Sequence, residues 1–117
     1  MNRARLAIAI GLAVVFAVVL GILANQHNAA QNRTFNVTVR GAKTMSPSVL
    51  FAHQNDTVTI NITSDTDGEV HLHVYDIAID TKAGQTVSHT FKADKTCGCD
   101  IEWESTSTPL GSLTVSP

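Results

Sequence analysis

Residues that carry specialised chemistry are scarce in this chain. Its 117 residues include two cysteines, three prolines, one tryptophan and one tyrosine. Two cysteines are too few for a disulfide scaffold or a four-thiolate zinc site. Basic residues are not in excess, with eight Lys and Arg against ten Asp and Glu, which argues against nucleic acid as a partner. There is no glycine-rich phosphate loop, no HExxH pair and no Ser-His-Asp signature, and the carboxylates form no useful acid–base pair. The sequence therefore predicts no enzyme.

Charge is absent altogether from Leu6 to Ala24, which reads LAIAIGLAVVFAVVLGILA. As a helix it would span ~28 Å, near the hydrocarbon thickness of a bilayer. Arg3 and Arg5 precede it, and no Lys or Arg follows until Arg33. The positive-inside rule keeps the N-terminus cytoplasmic and sends everything after Ala24 across the membrane. Residues 1–24 are expected to be a single-pass signal anchor, with the bilayer as partner of residues 6–24. The alternative is a signal peptide cleaved after Ala24, Ala29 or Ala30, releasing a secreted domain. All ten acidic residues lie beyond this segment, so the exported part is mildly acidic. Residues 25–34 open with a polar, uncharged, aperiodic stretch that reads as a tether.

The pattern then changes to period two. Phe35, Val37 and Val39 alternate with polar residues, as do Val58, Ile60 and Ile62; Val70, Leu72 and Val74; Val87, His89 and Phe91; Ile101 and Trp103; and Leu113 and Val115. Ser48 to His53 adds an apolar stretch, and turn signals separate the runs. Seven or so short, Thr- and Val-rich strands predict an all-β, antiparallel Greek-key sandwich over residues 35–117.

Several motifs in order add a family likeness. Ser46-Pro47 through Val49-Leu50-Phe51, followed by Asn55-Asp56-Thr57-Val58, resembles the cupredoxin pattern of a Pro, an apolar strand, a Gly-Asp turn and a Val-rich strand. Asn55 takes the turn glycine's place. His71-Leu-His73-Val-Tyr75-Asp76 resembles the strand carrying the first copper histidine. Ala83-Gly84-Gln-Thr86, Phe91-Lys-Ala93 and Gly111-x-Leu113-x-Val115 are similar to later strands of the family. The His-x-His-x-Tyr-Asp variant looks most like the cupredoxin-like domains of bacterial periplasmic iron-uptake proteins. The resemblance implies a cupredoxin-like sandwich with His71 at the first copper ligand's place. The family's Cys, second His and Met, however, belong in the loop before the last strand. Here that region, Ile101 to Gly111, has none of the three, so no blue-copper centre is expected.

Candidate ligands remain. His71 and His73, two apart on a strand, share one face, and imidazole suits copper, zinc or nickel. Cys97 and Cys99 flank Gly98 in an expected turn. They suit Cu(I), or outside the cytoplasm they oxidise to each other or between chains. Whether His71, His73, Cys97 and Cys99 converge on one metal is left to the tertiary structure. His89 is expected to point into the core, Met45 and Trp103 to be core residues, and His27 and His53 to be solvated. Asp65, Asp67 and Glu69 read as an ordinary turn or a weak calcium loop, and Glu102 and Glu104 as outer surface. Three functions follow: a tethered cupredoxin-like domain binding a non-blue metal such as copper, a metal-free module docking an envelope protein, or a CxC thiol redox protein.

Overall fold

The computed structural model describes residues 29–117. The expected anchor over Leu6–Ala24, the start of the tether and His27 lie outside the described residues. Nine strands follow in order: β1 (Asn32–Arg40), β2 (Thr44–Ser46), β3 (Val49–His53), β4 (Thr57–Ser64), β5 (Gly68–Leu72), β6 (Ile77–Thr81), β7 (Thr86–Lys92), β8 (Cys97–Trp103) and β9 (Thr108–Ser116). One 3-10 turn, Glu104–Thr106, joins β8 to β9. A four-stranded sheet runs β2-β1-β4-β7 and a five-stranded sheet runs β3-β9-β8-β5-β6.

The alternation in the sequence is the reason for this arrangement. Each strand points one row of side chains inward and one outward. Val37, Val39, Val58, Ile60 and Ile62 from one sheet meet Leu50, Val70, Leu72, Ile101, Trp103, Leu113 and Val115 from the other, all buried. Met45 and Trp103 are core residues, as their surroundings in the sequence suggested. Gly68 leaves room for the Trp103 ring, because a Cβ there would run into it.

The sandwich departs from the expected pattern in four places. Two strand pairs are parallel rather than antiparallel: β1 with β4 and β3 with β9. After β2 the chain crosses to the other sheet for β3 and returns for β4, so β4 re-enters its sheet in the direction of β1. β1 begins at Asn32, because Gln31 and Arg33 are both held by the buried Asp56 carboxylate, at 2.8 and 2.6 Å. The domain thus starts three residues before the alternation becomes apolar. Burial disfavours the ionised Asp56, but hydrogen bonds from the Gln31 and His53 amides and from Arg33 outweigh it and hold the carboxyl below its usual range. The short β2 and β6 were not separated as strands by the sequence. Last, β5 stops at Leu72, and Val74 is 55% exposed rather than buried. Asn55 adopts φ 71°, the left-handed conformation that qualifies Asn to replace a turn glycine.

Candidate metal site

The outer face of the five-stranded sheet carries the site. In β5, Val70 and Leu72 point inward, so His71 between them points outward. In β8, Cys99, Ile101 and Trp103 point inward and Glu102 points outward. β5 and β8 are antiparallel neighbours with His71 directly opposite Glu102. The pairing continues one residue past β5, where the His73 N–H donates to the Asp100 carbonyl at 2.9 Å. His73 therefore stays on the sheet, and its ring meets that of His71 edge-on with centroids 4.6 Å apart.

Carboxylates surround both rings. His73 Nε2 lies 2.8 Å from Glu102 Oε1, His71 Nε2 lies 2.8 Å from Asp76 Oδ1, and His71 Nδ1 lies 3.4 Å from Glu104 Oε2. The Asp76 hydrogen bond, opposed by burial and aided by the nearby Glu104 and Glu102 charges, raises the His71 pKa above 6.5. His71 Nδ1 is buried and has no hydrogen-bond partner. One donor atom from each of His71, His73 and Glu102 lies within 4.8 Å of the others. Two imidazoles and a carboxylate are a donor set for divalent copper, zinc or iron.

The turn after His73 is strained. Val74 has φ 73° and Asp76 φ 50°. A left-handed conformation costs an ordinary residue roughly 1–2 kcal/mol and is least tolerable for a β-branched one. Tyr75, between them, holds the turn: its hydroxyl donates to the Lys95 carbonyl at 2.5 Å and accepts from the Lys95 N–H at 3.0 Å. The Tyr75 ring packs 5.1 Å from that of Phe91.

The structure brings His71 and His73 together and leaves the cysteines elsewhere. Cys97 and Cys99 lie in β8 rather than in a turn, opposite Val115 and Leu113, and are joined to each other by a disulfide. Cys99 is fully buried and faces the core, whereas Glu102 of the same strand faces the histidines. The four-residue set of two thiolates and two imidazoles is not assembled. The connection between β8 and β9 holds no Cys, His or Met, so the residues present do not fit a blue-copper centre.

Glu102, Glu104 and Asp76 join the histidines in space although their sequence pattern does not connect them. The two glutamates do lie on the outer surface as expected, but their partners are the histidines. The useful signal was Glu102 on a period-two strand with its parity opposite to Trp103. Pairing it with His71 required knowledge of the register. His89 is half-buried beside Phe91 rather than enclosed in the core, because β7 is an edge strand. His53 is exposed and accepts a hydrogen bond from Arg33 in its unprotonated-nitrogen form. Asp65 and Asp67 accept from the Gly41 and Ala83 amides, so these carboxylates serve the turns.

A family model described as a cupredoxin-like domain matches residues 13–115. Among solved structures, the metal-binding domain of the Cu(I)-exporting P-type ATPase CopA of Streptococcus pneumoniae D39 is 10% identical with a TM-score of 0.62. The match covers 74% of this chain and 96% of that one. A chain of a heme-copper terminal oxidase dimer is 14% identical with a TM-score of 0.60, and 97% of each chain is covered. A laccase from Botrytis aclada is 15% identical with a TM-score of 0.61, over 76% of this chain and 23% of that one. At these identities the likeness is one of fold. No curated protein sequence gives a significant match. With its two-sheet sandwich and a family match over most of its length, the chain belongs to the cupredoxin-like domain family.

Proposed function

We propose that the chain is a membrane-tethered, extracytoplasmic cupredoxin-like protein that binds a divalent transition-metal ion through His71, His73 and Glu102. The observation that carries this reading is the approach of three donor atoms to within 4.8 Å on one sheet face. The donors are borderline nitrogen and hard oxygen, and the only thiols of the chain are bridged. Divalent copper or zinc suits such a set better than Cu(I). Bound copper would lack the intense thiolate-to-Cu(II) band. Fold neighbours named for copper, the Cu(I)-exporting ATPase domain and the heme-copper oxidase chain, support the reading by analogy. The protein's task is metal binding rather than catalysis. A place beside the cupredoxin-like domains of periplasmic iron uptake belongs to the same reading.

The tether rests on the uncharged run Leu6–Ala24 behind Arg3 and Arg5. Single cysteines introduced in residues 25–34 should react with a membrane-impermeant label in intact cells. Labelling only after lysis would place the domain in the cytoplasm.

For the metal, the full chain in detergent micelles is titrated with Cu(II) and Zn(II) against a competing chelator. Wild type should bind one ion, and both His71→Ala/His73→Ala and Glu102→Gln should lose that binding. Equal binding by all three proteins would end the metal reading. A second reading, a metal-free docking module for an envelope protein, draws on the edge strand β3, where Phe51 is 62% and Val49 45% exposed. It becomes the better one if wild type binds nothing tighter than micromolar.

A further inference from the structure

We propose that Asp76 is the positioning residue of this metal site: its carboxylate holds His71 in the Nε2–H tautomer, so that the Nδ1 lone pair, with Glu104 beside it, is presented to the ion. The proposal rests on the reading of His71, His73 and Glu102 as metal ligands.

Asp76 is 93% exposed and lies five residues after the histidine it touches. A hairpin between β5 and β6 does not by itself require this carboxylate to fold back over the sheet. It does so because the His73–Asp76 turn places two non-glycine residues, Val74 and Asp76, in the left-handed region. Such conformations persist where the surroundings enforce them, and they concentrate at functional sites. Here the enforcement is visible in the two hydrogen bonds exchanged by the Tyr75 hydroxyl and the Lys95 backbone, and in the packing of Tyr75 on Phe91. The outcome of this construction is one contact, Asp76 Oδ1 to His71 Nε2 at 2.8 Å.

An ionised carboxylate only accepts hydrogen bonds, so His71 Nε2 must carry the proton in that contact. In a neutral imidazole the lone pair is then on Nδ1. That atom is buried and without a hydrogen-bond partner, and Glu104 Oε2 stands 3.4 Å from it. A buried acceptor left unpaired is unusual in a folded domain and asks for an explanation. A cation shared with Glu104 supplies one. Metal-bound histidines commonly donate their other ring N–H to a carboxylate, which fixes the tautomer and raises ligand basicity. Asp76 has that relation to His71. Glu102, already against His73, completes the donors from β8. The inference thus adds Glu104 to the ligands and gives the strained turn its purpose.

The competing account is that His71 is an imidazolium between Asp76 and Glu104, with no vacancy for a metal. Two measurements on the full chain in micelles separate the accounts. The first is the long-range ¹⁵N–¹H correlation spectrum of the ¹⁵N-histidine-labelled, metal-free protein above the His71 titration. Wild type should show the Nε2–H tautomer alone, Asp76→Ala a mixture, and Asp76→Asn, whose amide oxygen still accepts, largely the wild-type pattern. The second is the Zn(II) affinity of the same proteins, which should fall about 10- to 100-fold in Asp76→Ala and be partly restored in Asp76→Asn. A Glu104→Gln chain should also bind more weakly. If Asp76→Ala binds zinc like wild type while His71→Ala does not, Asp76 has no positioning role and the metal site stands. If Asp76→Asn is as deficient as Asp76→Ala, the carboxylate is itself a ligand and the positioning role is wrong. If wild type and His71→Ala bind zinc equally, the metal reading fails and this proposal with it.

Discussion

The outer faces of the two sheets are built from different chemistry. On the four-stranded sheet, β1, β4 and β7 present Thr34, Asn36 and Thr38; Thr59, Asn61 and Thr63; and Thr90, Ser88 and Thr86 in aligned rungs. These groups bond to one another across the strands: Thr59 to Thr90 and Thr63 to Thr86 at 2.8 Å, and Asn61 to Asn36 at 3.0 Å. None of the nine residues in these three rungs is charged; the charged members of this face, Arg40 and Lys92, stand at the ends of β1 and β7. On the five-stranded sheet, β5, β8 and the adjoining turns gather His71, His73, Asp76, Glu102 and Glu104, and one buried nitrogen among them has no hydrogen bond. Both faces are outward rows of period-two strands. The first consists of neutral groups that satisfy each other at little cost. The second holds titratable groups close together over a strained turn, which is an expensive arrangement unless something binds there.

The contrast can be tested, beginning with the wall beneath the charged face. Trp103 is 3% exposed and packs against Gly68 of β5. Trp103→Ala should cost about 3–5 kcal/mol in denaturant unfolding. A loss below about 1 kcal/mol would mean that the charged face stands on something other than this ring.

The next effect is on binding. Glu102→Gln should cost Zn(II) or Cu(II) affinity at least the ~100-fold that loss of a residue supporting a ligand can cost, enough to abolish tight binding. Thr59→Val on the opposite face should leave binding unchanged. Equal effects on both faces would erase the distinction between them. The affinity of wild type should also fall with pH, beginning above 6.5, because the proton competing for His71 is held more tightly than usual.

Smaller effects concern stability. Val74 is exposed and left-handed, so it contributes strain without much burial. Val74→Gly should raise unfolding stability by about 1 kcal/mol, measured as a shifted denaturant midpoint at constant slope. A destabilised Val74→Gly protein would show that the turn is not under strain. The metal-free protein has a further signature in pH. The folded-state pKa of His71 is raised, so its interaction with Asp76 contributes stability in full below about 6.5, and this is lost as pH rises through the folded value. Asp76→Asn should flatten that dependence, and an unchanged profile would dissociate it from His71. The smallest change belongs to the neutral face, where Thr59→Val should cost under about 0.5 kcal/mol, since a cross-strand hydroxyl pair is worth little against solvent.

Much of this was legible in the residues. Alternation located most of the strands because each has one buried row, and Asn55 announced a left-handed turn. β6 is not legible although Ile77 and Ile79 alternate, because two apolar residues between Tyr75-Asp76 and Asp80 make too short a pattern to separate from a loop. Val74 continues the rhythm of Val70 and Leu72, and alternation alone puts it on their inward row. Nothing local signalled that the strand ends at Leu72, where the chain turns to pair as β6. Gly98 between the cysteines signals a turn. In fact they extend β8, where pairing to Val115 and Leu113 supplies the backbone partners.

The sequence by itself determined an all-β chain: period-two patterning, Thr and Val in abundance, the inward row of each main strand, and the pairing of His71 with His73 on one face. Those properties follow from the alternation of side chains along an extended backbone, which is local. Which strands lie side by side, and in what direction, was decided by tertiary structure. The crossing between sheets made β1 and β4 parallel, the β5–β8 register set Glu102 opposite His71, and the parity of β8 turned Cys99 into the core and away from the histidines. Register is a relation between segments about 30 residues apart. It is set by the sum of their packing and hydrogen bonds, so no single segment carries it.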